Sequence, residues 1–302
     1  MRSFINYSLL AIILLSPLHT FGAETLKLRY LMTVTTDEKE GQLKNPEGVA
    51  CNDKSLLVVA DTENGRLLRY SFQDKSLKGG TEIKVPQLAS PVRVQINSKG
   101  EIYALDGKNH SIVHLNSDGA FAGILEPQGV TAPAKFVTKS FKIDANDNIF
   151  LLDIAGERVL QLDPVGKLLN QVPFPKNYGF ITDLAVTLGG DILLIDSVNS
   201  VIYTAKKDKP VFVPLTKSMR DYMNFATYIS TSIGGGEIYL LDQDGGAIVI
   251  VGPDGTFQGR RLSLGWKAGL LYYPTQMCMN KNGDVFIADR SNSRVQIYEN
   301  VK

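Results

Sequence analysis

VFIADRSNSRVQIY, residues 285–298, reads as a hydrophobic strand ending on Asp289, a short polar loop and a second strand. Five earlier stretches repeat the arrangement: VVADTENGRLLRY (58–70), IYALDGKNHSIVHL (102–115), IFLLDIAGERVLQL (149–162), ILLIDSVNSVIYTA (192–205) and IYLLDQDGGAIVIV (238–251). The strands end on Asp61, Asp106, Asp153, Asp196, Asp242 and Asp289, at successive spacings of 45, 47, 43, 46 and 47 residues. A period of that length holding four short strands is the signature of a propeller blade.

Each period parses alike. An inner strand such as 92–96 comes first, followed by a Gly/Asn-rich turn (Asn97-Ser98-Lys99-Gly100, Asn146-Asp147-Asn148, Gly189-Gly190, Gly234-Gly235-Gly236, Asn282-Gly283). These residue types tolerate the positive φ of tight hairpins. The Asp-ending strand and a third strand follow. A second turn (Ser117-Asp118-Gly119, Pro164-Val165-Gly166, Pro253-Asp254-Gly255) then leads to an outer strand. The last period stops after its third strand, while LKLRYLMTV (26–34) is an orphan strand ahead of the first. Pairing the two would remove a sheet edge. The expected fold is all-β: one six-bladed propeller of four-stranded antiparallel blades over 23–302, closed by the N-terminal strand on the last blade.

The pattern resembles the NHL-repeat family, whose unit runs roughly P-x-G-V-A-V-D, then G-x-I-Y-V-A-D-x-x-N-x-R-V-x-V-F. The first period matches through Pro46, Gly48, Val49, Ala50, Asp61, Asn64 and Arg66, and the last through Pro274, Gly283, Asp289, Asn292 and Arg294. The middle periods are looser: Asn109 and Asn199 are kept, whereas Gly156 and Gly245 stand where Asn is expected. The resemblance implies the fold and not a function, since such propellers include enzymes, scaffolds and RNA binders.

Residues 1–22 read as a signal peptide: Arg2, an apolar run from Leu9 to Leu15, Pro17, then small residues suited to cleavage after Gly22 or Ala23. The apolar run is too short to span a bilayer, which needs about 20 residues. The mature chain is therefore expected in a periplasm or outside the cell, without stable membrane insertion. Lys and Arg total 32 against 31 Asp and Glu, and the first 22 residues carry only Arg2. A neutral mature chain has no overall field to draw in phosphates, so nucleic acid is not an expected partner. Cys51 and Cys278 fall on inner strands that closure would make neighbours, but on opposite faces; whether they bond stays open.

An aspartate that recurs in every blade points to turn capping rather than catalysis. His110 and His114 are too few for a zinc site, which takes three or four ligands. Asp144 to Asn148 imitates the start of a calcium loop but falls on a hairpin turn and lacks the closing Glu. No cofactor or metal site is expected.

Counting back from each aspartate separates two strand faces. Twelve and ten residues before it lie Val49/Cys51, Val94/Ile96, Phe141/Ile143, Leu184/Val186, Ser230/Ser232 and Met277/Met279. Thirteen and eleven before it lie Gly48/Ala50, Arg93/Gln95, Ser140/Lys142, Asp183/Ala185, Ile229/Thr231 and Gln276/Cys278. The first, more apolar set is expected between blades and the second towards the axis. That makes Arg93, Gln95, Lys142, Asp183 and Gln276 the channel candidates. The loops between blades are long and aromatic late in the chain. They bring Tyr178 and Phe180, then Arg220, Tyr222, Phe225 and Tyr228, then Trp266, Lys267 and Tyr272 to one face. Tyr, Trp and Arg are the commonest binding anchors, and loops on a rigid scaffold carry function. The leading expectation is an exported scaffold that binds a protein, peptide or glycan through that face. The alternative is a divalent-metal-dependent lactonase- or lyase-like enzyme using the channel, with Glu47 and Asp183 as carboxylates.

Overall fold

The computed structural model describes residues 26–130 and 136–301; the expected signal peptide lies outside them. They form six antiparallel four-stranded sheets. Five sheets follow chain order. The sixth adds the first strand, Leu28–Val34, to the last, Arg294–Asn300, with Tyr30 opposite Tyr298 and Val34 opposite Val295. The ring is closed as the orphan strand required, and the last blade has no bare edge on that side.

The apolar core is not central. It is divided into six clusters, one between each pair of neighbouring blades. Val49, Val94, Phe141, Leu184 and Met277 each sit in such a cluster, against the preceding blade. The fifth blade departs from the count. Its inner hairpin holds six residues between Thr231 and Ile238, where the second blade holds five between Ile96 and Ile102. The extra residue shifts the register by one, so Ile229, not Ser230, enters the core, and Tyr228 takes the axial position. A one-residue slip exchanges the two faces of a strand.

All six terminal aspartates are fully buried and join the incoming inter-blade loop to the turn beyond. Asp61 accepts the Lys44 N–H and the Asn64 and Arg66 side chains. Asp289 does the same with Tyr272 N–H, Asn292 and Arg294. Burial would raise the Asp196 carboxyl, but N–H groups of Phe180, Asn199 and Gly179 hold it below the usual carboxylate range. Arg66 also reaches Asp37 (2.7 Å) and Glu82 (2.8 Å), tying the turn to the outer strand.

Cys51 and Cys278 are joined in a disulfide between the first and last blades, with Cα atoms 5.9 Å apart. Opposite faces of adjacent inner strands look at one another across a blade interface, which is why the two sulfurs meet. The bond closes a sequence separation of 227 residues. Disulfides commonly contribute about 2–4 kcal/mol. Reduction, or Cys51→Ser with Cys278→Ser, should lower Tm by roughly 3–7 °C for a chain of this size. Calorimetry with and without reductant checks this; superimposable scans would show that the bond adds nothing to closure by the strand.

Candidate functional site: the loop face and the channel mouth

Inner strands begin, and Asp strands end, on one face of the ring, so the inter-blade loops and the channel mouth share it. The inner strands of blades two to six each carry a bulge near their start, skipping Val92, Lys139, Thr182, Thr227 and Thr275. Glu47 holds the corresponding place in blade one, its N–H bonding Ala60. Bulges re-aim side chains at sheet ends. Here they give the mouth a rim of six.

Below the rim, axial side chains join neighbouring blades around the ring. Ser140 of blade three donates to Asp183 of blade four, whose other oxygen accepts the Ile229 N–H of blade five at 2.9 Å. Tyr228 donates its hydroxyl to the Met277 carbonyl of blade six at 2.7 Å. Gln276 reaches past blade one to Val94 of blade two, accepting its N–H at 3.3 Å and donating to its carbonyl at 2.8 Å. Gly48 permits that crossing, because a Cβ there would lie 3.3 Å from the Gln276 oxygen and 2.8 Å from Ala60 Cβ. Lys142 sits 3.5 Å from Asp183 and 3.7 Å above the Tyr228 ring. Gln95 lies on the same strand face as Arg93, farther from the mouth.

Arg93 breaks the sequence of ties. It turns towards the axis, donating to the carbonyls of Val92 (3.1 Å), Glu47 (3.5 Å) and, from the opposite blade, Thr227 (3.5 Å). Lys139, on the rim, was not singled out from the sequence; burial and the neighbouring Arg93 charge hold its ammonium below the usual lysine range.

The loop aromatics divide into two kinds. Phe174 and Tyr178 contact each other edge to face and pack on the core between blades three and four. Tyr228 does not belong to the loop at all; it is a buried strand residue in the channel. Phe225 is half-buried, and its N–H bonds Asp242. Arg220 donates to the Val198 carbonyl. Phe180, Tyr222, Trp266 and Tyr272 are exposed, with Tyr222 stacked on Phe257 at the outer strand of blade five, 4.0 Å between centroids. Trp266 stands out at 78% exposure. Its loop is nevertheless fastened: Arg294 donates to the carbonyls of Lys267 and Leu270, Asn292 to that of Gly265, and Gln296 accepts the Gly269 N–H. Gly246 lets the loop close over the adjoining turn, since a Cβ there would lie 2.6 Å from the Leu264 Cα and the Leu271 carbonyl oxygen. The asparagine and arginine of the last repeat thus hold a loop rather than a ligand.

The family model described as NHL repeat matches residues 271–298. That stretch lies in the last of the six sequence periods that build the six blades. The chain is a six-bladed β-propeller that carries an NHL repeat. No curated protein sequence matches it. Among solved structures, this NHL propeller is similar to the selenomethionine-substituted virginiamycin B lyase from Staphylococcus aureus, at 12% identity and TM-score 0.63 over 91% of this chain and all of that one. It is also similar to a putative gluconolactonase (13%, TM-score 0.65, 91% and 92% of the two chains). The WD40 propeller domain of Doa1 matches at 11%, TM-score 0.61, over 92% and 98%. At such identities the shared feature is the fold.

A divalent ion does not suit this propeller's channel. Glu47 is paired with Arg290 at 3.2 Å, and Asp183 is occupied by Ser140, Lys142 and the Ile229 N–H. Arg93, Lys139 and Lys142 place positive charge where the ion would sit. Among the described residues no three His, Cys, Asp or Glu side chains converge as a ligand set. His114 is stacked on Tyr103, and His110 caps a turn through its N–H to Asp106.

Proposed function

We propose that this propeller is an exported binding protein that captures a protein, peptide or glycan on the loop face of blades four to six. The observation carrying the reading is Trp266, a large exposed aromatic on a loop held by four hydrogen bonds to Arg294, Asn292 and Gln296. An anchor fixed before binding avoids the cost of ordering it on contact. Tyr272 on the same loop, and Phe180 on the loop entering blade four, add exposed aromatic surface to that face. Export is supported by the N-terminal apolar run and by a disulfide that a reducing cytosol would not maintain. The metal-dependent alternative has no support in the channel residues.

The test is quantitative capture by immobilised mature protein from its own secreted fraction and from peptide and glycan arrays, with Trp266→Ala as control. Hot-spot aromatics cost about 2 kcal/mol or more when truncated, so capture should weaken by roughly 30-fold. Stability should stay within about 0.5 kcal/mol, as for exposed residues generally. Equal capture by both proteins would remove the loop face as the binding surface.

A further inference from the structure

The rim threonines expose an irregularity. Thr182 bonds the Ala226 carbonyl of the next blade, and Thr275 bonds the Glu47 carbonyl of the next blade. Thr227, at the same position in blade five, leaves its buried Oγ1 without a partner, as does the buried Nε of Arg93. The two residues touch through other atoms: Arg93 Nη2 reaches the Thr227 backbone carbonyl at 3.5 Å across the channel. Shielded donors left unfilled are costly, and an incoming acceptor would recover that cost.

Charge is unbalanced at the same place. Glu47 is matched by Arg290 and Asp183 by Lys142. Among the described residues, Arg93 and Lys139 have no carboxylate within 4.0 Å, although they are close enough for Arg93 to disfavour the Lys139 ammonium. Adjacent cations in a confined mouth favour an anion, and a guanidinium presents a fork that fits two oxygens. Glu47 and Asp183 also act on Lys139. Their charges oppose a dianion more than a monoanion, which selects a carboxylate over a phosphate.

We propose that the channel mouth is a carboxylate site, in which Arg93 and Lys139 hold the anion and the Thr227 hydroxyl donates a third hydrogen bond. The carboxylate is that of a free small acid or of a peptide chain end. The site stands independently of the aromatic loops.

The probes are acetate, inorganic phosphate, and one short peptide with a free or an amidated C-terminus, titrated into the mature protein while the Arg side-chain Nε–H resonances are followed. Acetate or the free-acid peptide should shift one Arg signal saturably, and that signal should be missing in Arg93→Met. Lys139→Met should weaken binding at least tenfold, and Lys139→Arg should restore much of it. Lys139 keeps solvent access although the crowded mouth partly desolvates its ammonium, so its variants keep the test valid if Arg93→Met fails to fold. Tight binding of the free-acid peptide with weak acetate binding identifies a chain end as the source; comparable binding identifies a small acid. No response to either carboxylate, a response to phosphate alone, or unchanged binding in Lys139→Met overturns the assignment. Retained carboxylate binding in Trp266→Ala separates this site from the loop-face reading.

Discussion

A chain lacking residues 24–34 should lose more than about 5 kcal/mol of stability and expose a sheet edge, enough to unfold or aggregate a domain of ordinary stability. The strand Leu28–Val34 supplies the fourth member of the last blade through six paired residues. Leu26 and Val34 are buried at its ends, and each fully buried aliphatic side chain is worth about 1.5–3 kcal/mol. Its removal also uncovers Val295, Ile297 and Tyr298, all of which are fully buried in the closed ring. The ladder adds to this, because the N–H and C=O groups of Arg294–Asn300 would face water on that side. The disulfide tethers the inner strands of blades one and six, a different layer from the missing outer strand, so it cannot substitute. Urea unfolding followed by circular dichroism measures the loss, and a synthetic peptide spanning 24–34 should restore part of it. A truncated chain with native unfolding midpoint and slope would mean that the ring closes without its first strand.

The fold was legible because its signals are local and repeated. An aspartate must end each second strand to receive the N–H groups of the incoming loop, as Lys44 N–H on Asp61 and Tyr272 N–H on Asp289 show. The glycine and asparagine turns then set the strand lengths between those points. The axial residues were legible only where hairpin length is constant. Arg93, Asp183 and Gln276 fall on the expected face, whereas one added residue between Thr231 and Ile238 moved Tyr228 from an expected loop into the channel. Lys139 escaped because a bulge interrupts the two-residue alternation at that point, between Thr138 and Ser140. Aromatic loops announce themselves by composition, but composition does not distinguish Tyr178, packed on the core, from Trp266, left in solvent. That difference depends on hydrogen bonds from distant strands, such as those of Asn292 and Arg294 to the Trp266 loop.

Asp183→Ala should cost about 3–5 kcal/mol, the usual effect of removing one member of a buried ion pair. Asp183, in the fourth blade, is wholly shielded from solvent and accepts from two neighbouring blades: Ser140 and Lys142 of the third, and the Ile229 N–H of the fifth. Alanine leaves the serine hydroxyl and the backbone N–H without partners and strands the Lys142 ammonium, itself buried, over the Tyr228 ring. A cation–π contact contributes about 0.5–2 kcal/mol and cannot replace a carboxylate. Asp183→Asn keeps an acceptor and the volume but loses the charge, so it should fall between wild type and alanine. Lys142→Met in the asparagine background removes the unmatched ammonium. The double variant should therefore recover stability relative to Asp183→Asn alone, a positive coupling of about 1–3 kcal/mol in a double-mutant cycle. Denaturant midpoints at constant slope give each term. Strictly additive single effects would separate Lys142 from Asp183 energetically and leave the lysine's position over Tyr228 as the only interaction holding it in the channel.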